Sequence, residues 1–142
     1  MKRVHWLWGL IAPALAIAFW PTILPPAPRG ESEETKACLQ AETILHACEA
    51  YRDSPANPER GKYPTALAEL VNPPFGGPSF LHNGAGDLID PWGNPYHYEV
   101  AKNSDGEIEI SVCTVWVGDE GIRLLGAERK ADGKIRSFRA GT

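Results

Sequence analysis

Only three of the 142 residues are cysteine, one is methionine, and no stretch is rich in lysine or arginine. Each scarcity removes a class of protein. Cys38, Cys48 and Cys113 form no Cys-x-x-Cys pair and no two histidines stand at ligand spacing, which disfavours a metal site built from Cys38, His46 and Cys48. A formal net charge of -4 without a basic run leaves no electrostatic footprint for phosphate, so nucleic acid is not an expected partner. No serine sits in a nucleophile elbow, and His46, His82 and His97 are dispersed along the chain. The carboxylates Glu107, Glu109, Asp119 and Glu120 fall on a solvated strand face and a turn, so they make no acid–base pair. A periplasmic enzyme would have to rest on a cleft-facing pair such as His82 and Asp87. No enzyme class is indicated, and no internal repeat of fold-defining period is present.

What the chain does have begins with a long apolar run. Lys2 and Arg3 precede Trp6 to Trp20, and Ile23 and Leu24 extend the stretch past Pro21. Counted through Leu24, it just reaches the roughly 20 residues that a membrane span requires. Basic residues at the start orient the N-terminus to the cytoplasm and the remainder outward, as a single-pass protein of the cytoplasmic membrane. Ala14-Leu15-Ala16 offers a small-x-small cleavage site and hence an exported soluble alternative. The hydrophobic stretch continues through Ile17, Ala18, Phe19 and Trp20 instead of turning polar, which favours an uncleaved anchor over 1–24. Residues 25–34 read as a linker that is Pro-rich and then acidic, and 35–142 as one globular domain.

Ser32 is placed to cap a helix, with Glu33 and Glu34 in its first turn. Ala37, Cys38, Ala41, Ile44, Leu45, Cys48 and Tyr51 recur at three- and four-residue spacing, an apolar stripe that ends at Asp53-Ser54-Pro55. Thr65 is placed to cap a short helix through Val71, stopped by Pro73-Pro74. The loop from Pro73 to Asp87 is long and Gly-rich, with Phe75, Phe80 and Leu81 available to pin it. Alternation over Tyr96 to Val100 and Glu107 to Val117 predicts a hairpin around Asn103 to Gly106. A second hairpin is expected from Ile122 to Leu125 and Lys134 to Phe138. Ile108, Ile110, Val112, Thr114 and Trp116 share one face, while Val115 and Val117 are available to cover the other. The fold class is α+β: one packing helix and a short second helix against a small antiparallel sheet.

The densest signal is Asp90-Pro91-Trp92-Gly93-Asn94-Pro95-Tyr96. Pro91 presets the second position of a turn, Asp90 can accept backbone N–H bonds, and Gly93 supplies conformational freedom. Trp92 is left to pack over the element behind it. Together with Ala50-Tyr51, Tyr63-Pro64-Thr65, Leu67 to Val71 and the Pro73 to Gly77 loop, this string resembles the C-terminal domain of the type II secretion major pseudopilin, the G subunit, over roughly residues 35 to 117. The resemblance implies a pilin-like head and a noncatalytic component of a type II secretion or pilus-like assembly whose partners are other proteins, with the motif residues in a structural role. It also implies a prepilin signal, in which an apolar run carries a glutamate. Leu10 to Trp20 contains no acidic residue, and Pro21, Pro25, Pro26 and Pro28 interrupt any helix continuing into the domain. A solitary tethered or exported head, binding protein without joining a filament, is therefore the rival reading.

The resemblance further implies a calcium ion after the hairpin, for which Asp119 and Glu120 are the candidate ligands, with Asp132 further on. A plain β-turn is the alternative, and no other cofactor is expected. Three cysteines in an exported chain allow one disulfide. Cys38 and Cys48 are too far apart along one helix to bridge. Cys48–Cys113, or Cys38–Cys113, needs Cys113 to face the helix, and otherwise all three thiols are free.

Overall fold

The computed structural model describes residues 32–119 and 121–141. The expected anchor over 1–24 and most of the expected linker lie outside them. Among the described residues no helix is long and apolar enough to cross a membrane.

Helix α1 spans Glu33–Asp53 and so starts two residues inside the expected linker. Ser32 caps it: the Ser32 Oγ accepts from the Thr35 N–H at 3.2 Å. Glu33 and Glu34 occupy the first turn and Arg52 the last, each on the side of the helix dipole that favours its charge. The stripe read from spacing is the buried face, joined by Ala47.

Helix α2 is a single turn, Ala68–Val71, with Leu67 at its cap position and no side-chain cap bond. Thr65 does not cap in the expected way. Instead the Glu69 carboxylate reaches back to accept from the Thr65 N–H at 3.3 Å and from the Thr65 hydroxyl. The following loop is pinned by aromatics. Phe75 and Phe80 pack on Tyr51 at ring-centroid distances of 5.1 and 5.7 Å, and Leu81 is buried. A short 3-10 helix, Gly84–Leu88, closes the loop, an element that the Gly-rich composition did not announce.

Four strands follow as an antiparallel meander in the order β1-β2-β3-β4: His97–Lys102, Ile108–Gly118, Gly121–Arg129 and Ile135–Gly141. Both hairpins fall where the alternation put them, and the second is longer than expected. The arrangement is α+β, with α1 lying across one face of the sheet. Ile110, Val112, Leu125 and Ala127 on that face are at most 1% exposed, with Ile44, Leu45 and Cys48 of α1 equally buried. Burial of such side chains contributes about 1.5–3 kcal/mol each, which is why this stripe rather than local propensity holds α1 in place. On the opposite face stand the residues that alternation put there. Val115 and Val117 lie there, 40% and 72% exposed.

At Gly126 the two central strands approach closely. A Cβ there would stand 2.2 Å from the Val112 carbonyl oxygen and 2.7 Å from Cys113 Cα. Only glycine permits that backbone contact in the middle of β3.

Candidate functional site

Asp90 organises the segment that the sequence marked as most specific. Its backbone carbonyl accepts from Gly93 N–H at 3.0 Å, which closes a turn over Pro91 and Trp92, and Gly93 takes the positive φ of 90° that ends it. The Asp90 carboxylate accepts from the Trp92 N–H at 2.9 Å and the Asn94 N–H at 2.7 Å, while the Asp90 N–H donates to the Asn94 carbonyl at 2.8 Å. Its second oxygen accepts from the Thr114 hydroxyl at 2.5 Å, tying the turn to β2. Asp90 is 5% exposed and Thr114 1%. Burial alone pushes the Asp90 carboxyl upward, but hydrogen bonds from Thr114, Asn94 and Trp92 outweigh it and hold the group below the ordinary carboxylate range. A carboxylate kept ionised and already occupied on both oxygens is a brace for the turn.

Other elements fix the turn against α1. Gln40 Nε2 donates to the carbonyls of Asp87 and Ile89, each at 2.8 Å, just ahead of Asp90. Beyond the turn, Ile89 bridges Pro95, and the buried Tyr96 hydroxyl donates to the Ala37 carbonyl at 2.9 Å. Trp92 lies against Trp116 with ring centroids 6.3 Å apart. Together the turn and the end of β2 border an open groove of about 480 Å³, lined in part by Trp92, Pro95, His97 and Val115.

Tyr63-Pro64 serves a second junction. The Arg52 Nη1 donates to the Tyr63 hydroxyl, and the guanidiniums of Arg52 and Arg129 lie 5.1 and 6.0 Å from the Tyr63 ring centre. Arg129 also pairs with Glu49, so β3 is clamped to the C-terminal end of α1. The buried Pro64 carbonyl accepts from the Tyr98 hydroxyl at 3.0 Å. Tyr51 donates to Glu69 at 2.7 Å, and burial followed by that carboxylate pushes its hydroxyl up to about 12. Glu69 and Glu49 are the functional carboxylates of the scaffold that sequence reading missed. The spacing of Thr65 and Glu69 was the one available clue.

The remaining candidates separate in space. Cys48 is buried beneath the sheet, and burial pushes its thiol up to about 12. Cys113 points to the opposite face from Val112 and Thr114, and all three cysteines are free thiols in this structure. The Cys48–Cys113 pairing therefore lacks the inward-facing Cys113 that it required. Asp119 sits exposed at the β2–β3 turn and Glu120 lies outside the described residues. Among the described residues, which include Asp119 and Asp132 but not Glu120, no group of three or more His, Cys, Asp or Glu is gathered to hold a metal ion. Nor are His82 and Asp87 brought together as a pair: the Asp87 carboxylate accepts from the Asn83 N–H and side-chain amide, both at 2.9 Å.

A capped helix laid over a four-stranded meander, with a braced turn leading into the sheet, defines a small α+β domain. Residues 27–123, about two-thirds of the chain, match the family model for type II secretion system (T2SS), protein G. The chain belongs to that family and is, at that level, a pseudopilin of type II secretion. No curated protein and no solved structure matches it.

Proposed function

We propose that this chain is a noncatalytic structural component of a type II secretion or pilus-like assembly, held in the cytoplasmic membrane by residues 1–24 with its head on the periplasmic side. The family match over 27–123 carries the reading. The geometry supports it, because the polar groups of the Asp90 turn bond to one another and to β2 and are thereby engaged in holding shape. Protein contact is then the work of the head's surface. In cells that secrete by this route, deleting the gene should abolish secretion and restoring it should rescue. Crosslinkers placed on the head should capture other secretion components. Normal secretion without the chain would overturn the reading.

One observation favours a second reading, a tethered head that never enters a filament. The apolar stretch from Leu10 to Trp20 carries no glutamate, and four prolines follow between Pro21 and Pro28. Intact mass and N-terminal chemistry of the protein from its own cells separate the two. A shortened chain with a methylated new N-terminus supports filament incorporation, and an unprocessed chain in the membrane fraction supports the tethered head.

A further inference from the structure

The sheet face turned away from α1 divides into two halves. Toward the β2–β3 turn, Val115, Val117, Ile122 and Leu124 are 40%, 72%, 50% and 41% exposed. Strand register puts them side by side, Val115 opposite Leu124 and Val117 opposite Ile122. They present on the order of 350 Å² of contiguous apolar surface, within the range of the largest patch on an ordinary monomer, which is often functional. The other half is charged, with the acids Glu99 and Glu109 on β1 and β2 and the bases Lys130 and Arg136 on the β3–β4 side, where Glu128 also lies. The register sets Glu99 on β1 in one row with Ser111, Glu128 and then Arg136 on β4, and Glu109 on β2 lies beside Lys130 at the end of β3.

We propose that this face docks against the same face of a second copy of the chain, about a two-fold axis parallel to the strands. That rotation keeps position along the strands and reverses their order, so β1 of one copy lies over β4 of the other and β2 over β3. Apolar half meets apolar half, with Val115 over Leu124 and Val117 over Ile122 in both directions. Glu99 of each copy comes over Arg136 of its mate, and Glu109 over Lys130, so the charges complement each other twice per dimer. Two sheets packed in this way stand about 10 Å apart with strands nearly aligned. The two patches together withdraw on the order of 700 Å² of apolar surface, which suits a weak dimer or one contact among several in a larger assembly. The contact does not depend on whether the chain enters a filament.

Sedimentation equilibrium of the full-length chain in non-ionic detergent at low ionic strength tests this. The native chain should show a reversible monomer–dimer equilibrium. Leu124→Asp should abolish it, and Glu99→Arg should raise the dissociation constant by about ten- to a hundred-fold. The double swap Glu99→Arg with Arg136→Glu should return it toward the native value, an outcome that unfolding or a general loss of charge would not produce. All of these positions are surface-exposed or at a sheet edge, and circular dichroism confirms that each variant is folded. A chain that is monomeric at all accessible concentrations would overturn the proposal. So would a dimer indifferent to Leu124→Asp and Glu99→Arg, or crosslinks from position 124 that reach only other secretion components.

Discussion

Replacing Asp90 with alanine should destabilise the head by about 2–4 kcal/mol. The carboxylate accepts from two backbone N–H groups and from the Thr114 hydroxyl. Hydrogen bonds to a charged acceptor contribute about 1.5–3 kcal/mol each, and the cost of keeping a 5% exposed carboxylate out of water offsets part of the sum. After truncation water can reach Asn94, which is exposed, but not the Thr114 hydroxyl, which is 1% exposed. Asp90→Asn keeps an acceptor for the turn and should cost only about 1 kcal/mol. Urea unfolding followed by tryptophan fluorescence is a direct assay, since Trp92 and Trp116 both border the turn. A thermal melt should fall by about 4 °C per kcal/mol for a domain of this size. The pH dependence adds a sign. Because the folded-state value of Asp90 lies below its unfolded value of about 3.9, its contribution is fully present above that value and is lost as pH falls through the depressed folded value. The stability difference between native chain and Asp90→Asn should thus be constant near neutrality and shrink below about pH 4. An Asp90→Ala variant within about 0.5 kcal/mol of the native chain, or a difference that does not narrow in acid, would refute the brace.

Gly126→Ala should cost about 2–4 kcal/mol, because its Cβ would press on the Val112 carbonyl and force the central strands apart; a urea midpoint unchanged from the native chain would contradict this. In the native protein Cys113, half-buried on the outer face, should alkylate before the buried Cys48, whose thiol is pushed up to about 12, and after unfolding three thiols should be titrated by mass spectrometry. Tyr63→Ala should cost about 1–2 kcal/mol by removing the ring over which Arg52 and Arg129 lie, and a double-mutant cycle with Arg52→Ala should show coupling between the two sites.

Local chemistry was readable where one residue type has one dominant use. Ser32 before two glutamates, the apolar stripe of α1, and Pro and Gly placed around Asp90 each specify a short-range conformation, and the structure has each of them. What spacing could not supply was pairing between distant positions. Glu49 meets Arg129 across 80 residues, and Asp90 meets Thr114 across 24. Cys113 illustrates the limit of periodicity: alternation put it opposite Val112, but which face is inner depends on where α1 lies.

By itself the sequence determined the α+β class, the extent of α1, the two hairpins and the turn at Asp90, because helix and strand periods, caps and turn residues act over a few neighbours. Only the tertiary structure decided that Asp90 is a buried brace, that Glu69 rather than Thr65 organises the short helix, and that Val115 and Val117 face outward on an open apolar patch. Those outcomes depend on which groups exclude water from one another. Water exclusion is a property of the assembled layers, and no single stretch of chain encodes it.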